Sequence, residues 1–244
     1  MADNDFHTVT NHDFGYSLSL PSTWRDVGPD IYNSVFEVAR YLRNQPHLHD
    51  GIVNVFWDIP GSSPRAAAER GTPDVFDLSR ESLEREGVTD ISISGTKVGD
   101  RDAVRLDHAY HLRHKDIDVE NWASRSYFMT VRGTLVCLNM GTGSIDDDRE
   151  RYDRIAGSFS VIENAASIVV ARDHDVPDDF LAELLESTFD YRRDRARQRV
   201  VRIKAQGESV VALVEAANAP AIVESVTRQS AAAGYALNCR IGGA

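Results

Sequence analysis

Only two cysteines occur in 244 residues, and Cys137 and Cys239 lie far apart, each in an apolar, strand-like stretch. That argues against the disulfide framework of a small secreted domain and suits buried free thiols in a reducing compartment. Basic residues are also in short supply, with 27 Lys and Arg against 38 Asp and Glu and a formal net charge of -11. Because affinity for a phosphate backbone depends on cationic surface, this balance argues against nucleic acid as a partner. No stretch approaches the roughly 20 apolar residues of a spanning helix. The start, "MADNDFHTVTN", has neither the basic opening nor the apolar run of a secretory signal. The expectation is a cytoplasmic protein with no membrane partner. The nucleophile motif G-x-S-x-G and the Walker lysine are both missing, so no enzyme and no cofactor is expected.

What is present has the composition of an ordinary globular protein, 42% hydrophobic and 27% charged. "YSLSLP" alternates Tyr16, Leu18 and Leu20 with serines, the period of a half-buried strand ended by Pro21. Further strands are expected in "SVFEVARYL", "GIVNVFWDI", "DISISGTKV", "DAVRLDHAYHL", "ASRSYFMTV" and "TLVCLNM", the last two joined by a tight hairpin at Gly133. Helices are expected in "DVFDLSRESLEREG", stopped by Gly87, and in "DDDRERYDRIAGSF", whose first turn is acidic. After "SVIENAAS" the rhythm changes to strand, helix, helix, strand, helix, strand, with stops at Gly207 and Gly234 and cap signals at Asn218 and Pro220. The chain divides near Asn164 into residues 1–163 and 164–244. The fold class is α+β: an antiparallel sheet with packed helices, then a small β-α-α-β-α-β domain.

Several clusters invite chemistry. "HAYHLRH" offers His108, His111 and His114, but strand alternation puts His108 and His114 on one face too far apart to share an ion, so half-exposed sheet histidines and no metal are expected. "HLHD" (47–50) reads as a polar turn, and "GTGS" (141–144) as a loop before a helix whose "IDDD" would repel phosphate. In "YRRDRARQRVVRIK", Arg192, Arg193, Arg195, Arg199 and Arg202 spread around a helix, giving a solvated face paired partly with Asp190 and Asp194, or a surface for an acidic partner. In "VVARDHDVPDDFLAELLESTF", Asp175 or Val176 is the expected cap and Asp178 and Asp179 fill the first turn, where the helix dipole stabilises carboxylates. Asp173 and His174 are left over for binding.

The text "DHDVPDDFLAELLESTFDY", "RARQRVVRIKAQG" and "ALNCRI" resembles the ClpS adaptor over Ala166–Ile241, a fold shared with the C-terminal domain of the ribosomal stalk protein. ClpS adaptors hand N-degron substrates to Clp-type AAA+ unfoldases. The resemblance implies a peptide pocket at this turn and the second helix. Asp173 keeps one acceptor position, Arg172 and Lys204 stand at the family's asparagine and histidine positions, and Asp178 stands where a methionine gates the pocket. Leu181, Val200 and Ile203 match its apolar lining. Two cations would repel an α-amino group, so the implied pocket is remodelled.

More loosely, "FGYSLSLPSTWRDVG", "VGDRDAVRLDHAYHL" and "TLVCLNMGTG" followed by "YDRIAGSFSVI" resemble the PsbP-like superfamily with its DcrB-type domains, over residues 12–163. Together the resemblances imply a bacterial, non-enzymatic adaptor that binds other proteins, an AAA+ unfoldase among them. The alternative they leave is a client-specific chaperone or secretion-linked accessory protein whose binding lies in the N-terminal domain.

Overall fold

Alternation shapes the first elements. In β2 (Tyr16–Pro21), Tyr16, Leu18 and Leu20 are fully buried while the serines between them are half-buried, as a strand with one face on a core requires. The structure, a computed structural model, describes residues 5–28, 37–43, 51–59, 63–70, 91–114, 117–142, 145–171 and 176–242. The expected helix over 74–87 and the "HLHD" turn lie outside the described residues.

The chain separates into two compact units, Met1–Val9 with Leu18–Ser160, and Thr10–Ser17 with Val161–Ala244. The tip of the hairpin joining β1 (Phe6–Asn11) to β2 thus belongs to the C-terminal unit, whereas sequence alone puts it in the N-terminal half.

The N-terminal unit is built on a seven-stranded sheet of β3 (Trp24–Asp26), β4 (Glu37–Arg43), β5 (Ile52–Trp57), β6 (Ser92–Val98), β7 (Arg101–His114), β8 (Ile117–Val131) and β9 (Thr134–Thr142). Its order is β3-β4-β5-β9-β8-β7-β6, antiparallel throughout. The β8–β9 hairpin turns through Arg132 and Gly133, both with positive φ (49° and 75°), the two-residue turn whose twist matches that of paired strands. Trp122–Met129 of β8 and Leu135–Thr142 of β9 are buried on both faces, as central strands covered from two sides must be.

Among the described residues, two helices pack here. In α1 (Pro64–Arg70) the Ser63 hydroxyl accepts the Ala66 N–H at 3.1 Å and Pro64 takes the first helical position. α2 (Ile145–Gly157) is the second helix expected from the sequence. It is tied to the sheet by polar bonds. Thr142 Oγ1 donates to Asp148 at 2.7 Å and the buried Tyr152 hydroxyl donates to Gly141 O at 2.8 Å. Arg125 of β8 joins Asp107 (2.7 Å) on β7 to Asp153 (2.8 Å) on α2. The short β10 (Ser160–Val161) follows and pairs beside β2.

In the C-terminal unit β11 (Ala165–Ala171), α3 (Asp178–Phe189), α4 (Arg193–Gln206), β12 (Glu208–Glu215), α5 (Ala219–Ala232) and β13 (Asn238–Ile241) follow in the expected rhythm. The sheet order is β12-β11-β13, all antiparallel. Its core gathers Ile168 and Val170, Leu181, Leu184, Leu185 and Phe189 of α3, and Ala196, Val200 and Ile203 of α4. Gly207 and Gly234 adopt positive φ of 79° and 83° at the ends of α4 and α5, where a left-handed residue ends a helix at least cost with glycine. Neither helix cap accepts a backbone N–H through a side chain, and Asp175 lies outside the described residues. Pro177 occupies the cap of α3 and Asn218 that of α5, each without a side-chain cap bond, while Val176 is buried in the core. The whole is an α+β protein of antiparallel sheets with helices packed on them.

Candidate functional site

The residues assigned from sequence to a remodelled pocket fall into three groups. Arg172, Asp173 and His174 lie outside the described residues. Leu181, Val200 and Ile203 are 0, 3 and 0% exposed in the core of the C-terminal unit, with α3 and α4 packed against each other over them. Asp178 and Lys204 are brought together: Lys204 Nζ sits 3.1 Å from Asp178 Oδ2, linking the first turn of α3 to the last of α4. Arg197 reaches Asp179 at 3.7 Å in the same way. Both pairs are exposed, and such pairs contribute at most about 1 kcal/mol each.

An open groove of about 670 Å³ lies in the same unit, between the C-terminal half of α5 and the junction of β11 with β13. Ala171, Ala231, Ala236 and Leu237 give it an apolar floor, and Thr227 and Asn238 stand at its polar rim. Thr227 and Ala231 lie one turn apart on α5, so both face it. Tyr235 supplies one wall and is held from two sides. Buried Ser230 donates to Tyr235 O at 2.9 Å and its carbonyl accepts the Tyr235 N–H at 3.0 Å, while the Phe180 ring packs on the tyrosine at 4.8 Å. Ala171 directly precedes the acidic turn, so the sequence pointed to this end of the unit. The groove itself was not legible because alanines, which carry no chemical signal, make up much of its lining.

β13 forms one edge of the three-stranded sheet, paired only with β11 among the described residues. The other edge, β12, is covered by the tip of the first hairpin, where the Leu213 N–H donates to His12 O at 2.6 Å.

The other sequence candidates resolve as structure. His108 is buried in β7 rather than half-exposed, and burial lowers its pKa to about 4 despite neighbouring Asp107; His111 is half-buried, and nothing is described of the His114 side chain. No metal-holding group of three His, Cys, Asp or Glu occurs among the described residues. In "GTGS", Gly141 and Thr142 end β9, and Gly143 and Ser144 lie outside the described residues. Cys137 and Cys239 are free thiols, and burial raises the Cys239 pKa to about 11. Of the arginines of α4 and its approach, Arg192 pairs with Asp194 at 3.4 Å, and Arg195 and Arg199 reach Asp13. No helix among the described residues is long and apolar enough to cross a membrane.

Neither a protein-family model nor a curated protein matches the chain. Among solved structures it is similar to Agrobacterium tumefaciens ClpS2 bound to L-phenylalaninamide, at 18% identity over 32% of this chain and 98% of that one, TM-score 0.30. It is also similar to the cyanobacterial PsbP of Synechocystis, at 15% identity over 64% and 92% of the two chains, TM-score 0.43. A third is the Ran-binding protein Mog1p of Saccharomyces cerevisiae, at 10% identity over 65% and 96%, TM-score 0.40. At these identities and scores the likenesses say nothing of what this chain binds.

Proposed function

We propose that the protein is a non-enzymatic, protein-binding adaptor whose C-terminal unit receives a peptide segment of its partner. The observation that carries this reading is the apolar groove beside α5, next to a strand edge. An extended peptide laid along β13 would add a fourth strand, drawing affinity from main-chain hydrogen bonds, and would place a side chain in the groove between Ala231 and Leu237. Tyr235 is the natural anchor, a rigid amphipathic ring already fixed by Ser230 and Phe180. The finer reading is that the partner is a Clp-type AAA+ unfoldase or a client destined for one. It is motivated by the sequence likeness of this segment to ClpS.

The test is co-purification of a Clp-family unfoldase with the full-length protein and with its Ala231→Trp variant, whose added ring would fill an exposed groove without touching the core. Recovery by the parent chain and loss on Ala231→Trp is the expected result. Equal recovery by both chains would remove the groove from the account, and no recovery by either would remove the unfoldase. Capture of a different client, unaffected by Ala231→Trp, would favour an accessory chaperone that binds through the N-terminal unit.

A further inference from the structure

Arg195 and Arg199 stand one turn apart on α4, and both reach Asp13, at the tip of the first hairpin. Arg195 Nε lies 3.3 Å from Asp13 Oδ2, and Arg199 Nη2 donates to Asp13 Oδ1. The Tyr191 hydroxyl is 2.7 Å from that Oδ1 and 2.5 Å from Val211 O, and Arg199 Nη1 donates to Val210 O at 3.2 Å. Burial, with Asp13 next in effect, raises the Tyr191 pKa above its ordinary value, so the group remains a hydroxyl donor at neutral pH.

The Asp13 side chain is only 11% exposed, against 15% for Arg199 and 23% for Arg195, so salt screens these contacts far less than it would a surface pair. The tip is shaped to present that carboxylate. Asn11 Oδ1 accepts the backbone N–H groups of Asp13 (3.1 Å) and Phe14 (3.3 Å), His12 O takes the Leu213 N–H, and the His12 ring meets Phe189 edge-on at 6.0 Å. This is how a short acidic turn would be recognised in trans: two guanidiniums and a hydroxyl for its carboxylate, and the main chain of an edge strand for its backbone.

We propose that Arg195, Arg199 and the Tyr191 hydroxyl form a carboxylate-binding site on the C-terminal unit, filled in the resting chain by Asp13 as a ligand in cis, and that a short acidic turn of a partner protein binds here by replacing the hairpin tip. The site deepens the protein-binding reading but uses the sheet edge opposite the groove. The two can therefore fail independently.

The probe is a fluorescein-labelled synthetic peptide copying Thr8–Ser19, titrated against the full-length chain. Asp13→Ala, which withdraws the resident ligand, should bind it at least about ten-fold more tightly than the parent chain, and adding Arg199→Ala should abolish the gain. A peptide carrying Asn in place of its aspartate should bind no better to Asp13→Ala than to the parent. Equal affinity of Asp13→Ala and the parent, or a gain that survives Arg199→Ala, would overturn the proposal. Should Asp13→Ala fail to fold, hydrogen exchange of the parent chain decides. Saturating peptide should speed exchange across Thr10–Ser17 while the Leu213 amide stays protected, and no acceleration at saturation would equally overturn it.

Discussion

His108 shows how a single residue can mislead when read in one dimension. In sequence it is one of three histidines that strand alternation makes half-exposed sheet residues. In the structure it is buried in β7 with a pKa lowered to about 4 by desolvation. The folded state thus favours the neutral ring, whereas the unfolded chain takes up a proton near pH 6.5. Stability from this residue is fully present above about pH 6.5 and is lost as pH falls towards 4, by roughly 3 kcal/mol in all. Denaturant midpoints between pH 7.5 and 4.5 should fall more steeply for the parent chain than for His108→Gln. Parallel slopes would mean that the imidazole is not desolvated. Arg125 is the converse case, a buried arginine that the sequence did not single out. Burial opposes its charge, but Asp107, directly opposite in register, and Asp153 outweigh that and raise its pKa. The signal was the one basic residue of β8, and its meaning needed the register.

At the scale of elements, β2, β4 to β9, β11 to β13 and the last three helices were readable because period, glycine stops and turn residues agree there, whereas β1, β3, β10 and α1 were not expected from the sequence. β2, the β8–β9 hairpin, α2 and the β-α-α-β-α-β order all follow from those cues. Cap chemistry was less readable, since the α3 and α5 caps make no side-chain bond and the helices rest on tertiary packing instead. Gly141 shows the same limit. Read as part of a loop, it sits near the end of β9, where a Cβ would come within 2.7 Å of the Trp122 ring. Gly141→Ala should therefore cost about 1–3 kcal/mol by overpacking. Gly95→Ala, with nothing within 4 Å, serves as the control. Thermal unfolding of the two variants side by side checks this, and indistinguishable melting temperatures would refute the contact.

For the whole molecule, the telling feature is that Thr10–Ser17 completes the C-terminal unit from the far end of the chain. A chain starting at Leu18 should lose hydrogen-exchange protection at Leu213 of β12, whose N–H donates to His12 O, while β8 and β9 keep theirs. Retained protection at β12 would show that the edge stands without the tip. The sequence by itself determined the fold class, the strand and helix order of the C-terminal unit, and which of its residues form a core, because periodicity and turn chemistry act over a few neighbours. Only the tertiary structure decided where the arginines of α4 find their counter-charge, why Gly141 is a glycine, and that a groove walled by Tyr235 lies beside β13. Asp13 and Arg199 are 186 residues apart, and no local pattern encodes a contact at that separation. Pairing of this kind is specified by the closed fold, which brings the carboxylate and the guanidiniums together where water is scarce.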